Sequence, residues 1–231
     1  MLSPAESEAL LLSLKVALCS VAASLPFAVG LAWLLSRARF PGKSVLDAVV
    51  HLPLVLPPVV VGYFLLLSFG RRGALGAVLE ELFGLTFAFR WTGAALASAV
   101  MGFPLLVRAV RQSLDGVDRR LEAAAATLGA SPAWVFATVT LPLILPGVVT
   151  GVLLAFARSL GEFGATITFV SNIPGETQTL PLAIYAFTQT PGGDAQALRL
   201  CLLSIALSLA ALLGSEALLR RATVRAAGRD A

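Results

Sequence analysis

The chain has 231 residues, of which 58% are hydrophobic and 13% charged. A soluble domain carries about 25% charged residues, so this composition excludes a soluble globular enzyme, and it excludes disorder, which needs the opposite bias. Lys and Arg total 17 against 13 Asp and Glu, but the cations sit between apolar runs, where they read as membrane orientation and not as a nucleic-acid surface.

The N-terminus, Met1-Leu2-Ser3-Pro4-Ala5-Glu6-Ser7-Glu8, is acidic where a cleavable signal would be basic. A membrane span needs about 20 mostly apolar residues. Five segments meet that length, which predicts an all-α integral membrane protein with spans near 10–35, 52–69, 91–110, 143–166 and 195–219. Lys15 lies just inside span one, from where it can snorkel to the interface. After span one, Phe40-Pro41-Gly42-Lys43-Ser44 contains a Gly-Lys-Ser. A phosphate-binding loop needs a further Gly five residues before that Gly, and the position is Arg37. His51 is the sole histidine, and a metal site needs about three or four ligands, so no metal and no cofactor are expected. Cys19 and Cys201 both fall within apolar runs and read as small hydrophobes. Pro53, Pro57 and Pro58 crowd span two, and Pro104 interrupts span three. Each removes a backbone donor and kinks a helix, as is common in transporters. Segment 169–187 is apolar but broken by Pro174-Gly175-Glu176 and Pro181, so it reads as an irregular outer loop or a re-entrant stretch.

The cations of the short loops fix the orientation. Arg37, Arg39 and Lys43 follow span one; Arg108, Arg111, Arg119 and Arg120 follow span three; Arg220, Arg221, Arg225 and Arg229 follow span five. With an odd number of spans, this places the N-terminus outside and the C-terminus in the cytoplasm. Arg71, Arg72 and Arg90 are exceptions, on the outer side.

Loop 112–141 is the longest on the cytoplasmic side. It contains Leu121-Glu122-Ala123-Ala124-Ala125-Ala126-Thr127-Leu128-Gly129-Ala130-Ser131-Pro132 and runs on to Val139-Thr140-Leu141-Pro142. The Ala-rich run favours helix, with Asp118 as its N-cap and Gly129 as its C′ stop. Ser131-Pro132 then reads as N-cap and first residue of a second short helix. Small side chains on the first helix let a partner approach closely, as in helix-in-groove recognition.

This loop resembles the EAA loop of ABC-importer permeases, a Gly followed by nine residues and then Val/Ile-x-Leu-Pro. Gly129 followed by Val139-Thr140-Leu141-Pro142 fits it. The family's glutamate position, six residues before the Gly, holds Ala123, whereas Glu122 lies seven before. That register is similar to the molybdate branch of the family. So are Arg39-Phe40-Pro41-Gly42-Lys43, Leu52-Pro53-Leu54-Val55-Leu56-Pro57-Pro58, Ser159-Leu160-Gly161-Glu162-Phe163-Gly164 and Ser171-Asn172-Ile173-Pro174-Gly175-Glu176. The resemblance covers nearly the whole chain.

The resemblance implies a five-span type I permease core of the bacterial inner membrane that works by alternating access. Two copies would enclose the path as a homodimer. Separate ABC ATPase subunits would dock beneath the EAA loops, and a periplasmic or extracellular binding protein would deliver molybdate. Leu121, Glu122, Ala123, Ala124, Ala125, Thr127, Leu128, Gly129, Ala130 and Ser131 would form the coupling surface. Sulfate, thiosulfate and tungstate are the alternative substrates. An intramembrane enzyme would need a catalytic set at depth; one His, no Asp pair within a span and no His-Glu-x-x-His argue against one.

Arg158 and Glu162 are four residues apart deep in span four. They gate the anion path or form a structural ion pair, since a bare carboxylate lining the path would repel a dianion. Ser159 and Thr166 are hydroxyl donors to such an anion, or bond to the backbone of their own helix, as does Thr168.

Overall fold

The computed structural model describes residues 2–227, with the side chains of 212 and 215–227 outside the described set. The expected cytoplasmic cations Arg220, Arg221, Arg225 and Arg229 therefore lie outside it. Among the described residues every regular element is helical. Four helices are long and apolar enough to cross a membrane, or five when one bent pair is counted as a span.

Helix α1, Pro4–Arg37, opens on a capping box: Ser3 Oγ accepts from the Glu6 N–H, and Glu6 Oε2 accepts from the Ser3 N–H at 2.6 Å. At about 1.5 Å per residue its length exceeds the roughly 30 Å of hydrocarbon, so the expected segment 10–35 is only its inner part. The expected second span is two helices, α2 (Lys43–Val55) and α3 (Pro58–Phe69), bent by 114°. The cause is Pro57-Pro58. A residue before proline is driven out of the helical region, and Leu56 and Pro57 are both extended, with ψ of 145° and 133°. The loop expected over residues 71–90 contains helix α4, Ala74–Phe83, with Leu75, Val78 and Leu82 exposed.

Helix α5, Trp91–Asp115, is the central column. It continues five residues beyond the expected end at Val110, so Arg111 belongs to the helix and not to a loop, and Arg108, counted with the loop cations, lies within the helix as well. It packs on α1 and on α8, Leu141–Leu160, through small residues. Gly102 approaches the Ala155 methyl, and a Cβ on Gly151 would stand 3.2–3.3 Å from Ala109 and Leu106. Close backbone approach of this kind drives helix association where lipid offers no hydrophobic contrast.

Between them, α6 spans Arg119–Thr127 and α7 spans Pro132–Val135. The second short helix expected here is not separate. Residues 136–140 make a π turn, and 132–160 form one continuous helical segment. Proline cannot donate to the preceding turn, and a wider turn just before Pro142 accommodates that loss.

The expected fourth span, 143–166, stops at Leu160. Residues 161–163 unwind before α9, Gly164–Val170. The stretch expected to be irregular, 169–187, holds the end of α9, a tight turn around buried Thr177, and α10, Leu180–Thr188. The Leu180 N–H donates to Ser13 Oγ at 2.6 Å, tying this region to α1. The last helix, α11, runs Asp194–Ala227. At the end of the bundle opposite α6, fully buried Glu6 accepts from Arg199 Nη2 at 2.9 Å and Nε at 3.1 Å. Nearby, the Lys15 ammonium sits 3.6 Å from the centroid of the Trp91 ring, a favourable cation–π contact.

Packing of α3 on α9 depends on Gly62, where an added Cβ would stand 2.5 Å from the Ala165 carbonyl oxygen. At Gly30 an added Cβ meets nothing within 4 Å. Gly62→Ala is therefore expected to destabilise by about 1–3 kcal/mol. Gly30→Ala is expected to be neutral or to stabilise by up to about 1 kcal/mol. Thermal unfolding of the two purified variants in detergent checks the contrast.

Candidate functional site

Helix α6 has nine residues, none of them buried. A helix that short is marginal in isolation, so its ends and anchors must hold it. Asp118 caps it, its carboxylate accepting from the Arg120 N–H at 2.9 Å. Gly129 ends it with φ +84°, the left-handed conformation that favours glycine. Ser131 caps the next segment by accepting from the Trp134 N–H at 3.3 Å.

The anchor is Glu122. Its Oε1 accepts from Arg37 Nη2 at 2.9 Å and from the Thr140 hydroxyl at 2.7 Å. The carboxylate therefore joins α6 to the end of α1 and to the π turn that begins α8. Ala123, Ala124, Thr127 and Ser131 are exposed, and Ala125 and Ala130 partly so. Leu121 is half exposed, while Leu128 is 89% and Trp134 57% exposed. Leu128 and Trp134 flank a shallow groove with Ala125, Gly129, Ala130 and Ser131. Two large apolar side chains bared beside small ones, on a polar end of the bundle, suit a packed partner.

The second constellation surrounds the α8–α9 break. Arg158 lies in the last turn of α8, and Glu162 lies in the break, not on the same helix as expected. They still pair, Nη1 to Oε2 at 2.6 Å. Glu162 Oε1 accepts from the Ala165 N–H at 2.8 Å, so the carboxylate also serves the start of α9. The Glu162 side chain is buried, and that of Arg158 is 28% exposed. Ser159 is buried with its hydroxyl 3.1 Å from that of Ser20 on α1, a partner outside its own helix. Thr166 is buried, and Thr168 donates to the Gly164 carbonyl of its own helix at 2.8 Å. Of the four residues grouped by sequence, Arg158 alone is not buried.

The family model for binding-protein-dependent transport system inner membrane components matches residues 24–224. This chain belongs to that family. The molybdenum transport system permease protein ModB of Escherichia coli strain K12 is 63% identical over 97% of this chain and 98% of its own length. The Haemophilus influenzae protein of the same name is 61% identical over 94% of each chain. The sulfate transport system permease protein CysW of Synechococcus elongatus is 41% identical, covering 77% of this chain and 62% of its own. A bacterial alginate ABC transporter shares the fold at a TM-score of 0.75 and 16% identity, over 95% of this chain and 80% of that one. A methionine ABC transporter does so at 0.66 and 15%, over 94% of each.

As a permease of an ABC importer, the chain is a transport subunit, and ATP is hydrolysed by a separate subunit of the assembly. Its Gly42-Lys43-Ser44 is the start of α2, with Gly42 at φ +86°. In the EAA loop, the family's glutamate position is the exposed Ala123, while the displaced Glu122 is spent on its own chain. Sequence reasoning missed Arg37, Thr140 and Trp134. Only Trp134 left a local signal, a large aromatic two residues after the Ser131-Pro132 cap.

Replacing Glu162 by Ala leaves the Ala165 N–H and the Arg158 charge without their partner, whereas Gln keeps an acceptor for that N–H. Glu162→Ala is expected to cost about 3–5 kcal/mol and Glu162→Gln clearly less. The order of their unfolding temperatures in detergent checks this.

Proposed function

We propose that this permease carries molybdate across the bacterial inner membrane as one of two identical subunits on a two-fold axis. The observation that carries the substrate is the 63% identity to a molybdenum permease over nearly the full length of both chains, against 41% over a shorter match to a sulfate permease. Permeases of this family work with an ATPase and an external binding protein, and a solved alginate transporter is in complex with its periplasmic protein. The molybdate-binding protein would dock at the end that carries Glu6 and Trp91. The ATPase would dock at the α6 end, in the groove between Leu128 and Trp134. This reading puts the N-terminus outside and the C-terminus in the cytoplasm, in keeping with the loop cations.

Residues Leu121 to Ser131 form the coupling surface in this account. Glu122 acts as a positioning residue: it does not reach the ATPase but fixes α6 to α1 and α8, so that a push on α6 moves the core helices. Arg158 and Glu162 set the α8–α9 break beside the path, and Ser159 and Thr166 hold that break against the core. Because Arg158 neutralises it, the Glu162 carboxylate does not repel a passing dianion.

The test is ATP-dependent uptake of radiolabelled molybdate into proteoliposomes holding this chain, its ATPase and its binding protein, with excess sulfate as competitor. Uptake unaffected by sulfate is the expected result; uptake abolished by sulfate transfers the assignment to sulfate. In the same assay Gly129→Asp is expected to lower uptake several-fold and Gly129→Asn to preserve most of it. Both side chains tolerate the left-handed conformation, so the difference isolates a charge placed at the docking face.

A further inference from the structure

Two adjoining clefts on one side of the bundle share Arg108 and Gln112. One lies between α2 and α5 and includes Asp47, His51, Arg111 and Asp115; the other lies between α5 and α8 and includes Gly147 and Thr150. We propose that Arg108, with Gln112 and His51, forms a transit site for the carried tetrahedral oxyanion on the α6 side of the path. The inference rests on the permease reading above and names the residues that engage the anion before its release.

Three observations carry it. The first is position. Arg108 stands seven residues before the end of α5, about 10 Å along the helix axis from Asp115. Arg108 and Gln112 are exposed there, one turn apart on one face. Charged and polar groups exposed so near the α6 end of the helix turn to the aqueous face, a water-filled cavity or another subunit, and not to hydrocarbon.

The second is how the charges are spent. Arg111 Nη1 donates to Asp47 Oδ1 at 2.9 Å, and its Nε lies 3.8 Å from Asp115 Oδ2. Asp115 Oδ1 accepts from the Ser36 hydroxyl. His51 Nδ1 is 2.8 Å from the Asp47 carbonyl oxygen and 3.4 Å from Asp47 Oδ1, which leaves Nε2 as its remaining polar atom. Both carboxylates are thus engaged by Arg111, His51 and Ser36. Among the described residues Arg108 has no hydrogen-bond or ion-pair partner, so its guanidinium fork is open to two oxygens of an oxyanion.

The third is the balance. The cleft holds Arg108 and Arg111 against Asp47 and Asp115, a formally neutral set around one open cation. A strongly basic pocket would trap a dianion. A neutral set with one unpaired guanidinium binds it briefly, which conduction through a path requires.

The test uses the assembled transporter in proteoliposomes and reads molybdate carried per ATP hydrolysed. A role in transit predicts that Arg108→Gln lowers this ratio at least about fivefold, at an unchanged half-saturating concentration of loaded binding protein, and that Arg108→Lys, which keeps the charge but not the fork, recovers only part of it. An Arg108 that only orients the helix would lower the amount of assembled transporter and leave the ratio intact. A ratio within about twofold of wild type in Arg108→Gln, a failure of Arg108→Lys to recover any of it, or loss of assembly in both variants overturns the inference. The wild-type control judges the substrate separately: if it carries sulfate in place of molybdate, the same ratio is read with sulfate. If the wild type carries neither, the transit site falls with the permease reading.

Discussion

One carboxylate oxygen, Oε1 of Glu122, accepts hydrogen bonds from Arg37 at the end of α1 and from Thr140 at the start of the α8 segment. Helix α6 needs this contact because it buries none of its own nine residues. Its other supports are local: the Asp118 cap and the Gly129 stop fix where it begins and ends, not where it sits. Among the described residues, Glu122 is the one α6 side chain that hydrogen-bonds to other helices, and both of those run the height of the bundle. In the docking reading proposed above, a partner seated against Leu128 would act on α1 through this charge-assisted hydrogen bond, a strong and directional link, while Trp134 already belongs to the segment that continues into α8. The one-residue displacement of the glutamate from its usual family position gains a simple geometric meaning, since on a helix one residue is about 100° of rotation. It turns the carboxylate inward and leaves Ala123 on the exposed face.

Above that link, the bundle is held by close approach of α5 to α1 and α8 over Gly and Ala. The irregular stretches follow a second rule: backbone donors at membrane depth need acceptors. Glu162 serves Ala165 at the α8–α9 break, Thr177 serves Ile173 in the following turn, and Ser13 serves Leu180 at the start of α10. Each acceptor is a buried polar side chain in a chain with few of them. The broken region is consequently an ordered part of the fold, fixed to α1 at two levels by Ser13 and Ser20.

What the sequence disclosed divides by the range of the forces involved. Membrane residence follows from composition alone. The caps at Asp118 and Ser131 and the stop at Gly129 were legible because a cap is set by residues within three positions of it. The bend at Pro57-Pro58 was only half legible. The prolines marked a disruption, but an apolar run reads the same whether it crosses the membrane straight or turns by 114°. Helices α9 and α10 were hidden because each is too short to register as a span. The partners of Glu122 were out of reach, since Arg37 is 85 positions away in the chain and Thr140 is 18. Arg108 was grouped with the flanking cations because it sits within two residues of the end of the apolar run at Val110, while the helix continues to Asp115.

If Glu122 is the rigid link between the docking helix and the core, α6 and the end of α1 must move as one body. The direct measurement is the distance between spin labels at exposed Ala124 on α6 and exposed Arg39 just beyond α1, taken in the assembled transporter with and without ATP. The account predicts a distribution that shifts by less than about 2 Å between the two states, and one that broadens when Glu122 is replaced by Ala. A wild-type distance that changes substantially with nucleotide, or one indifferent to the loss of Glu122, would contradict it.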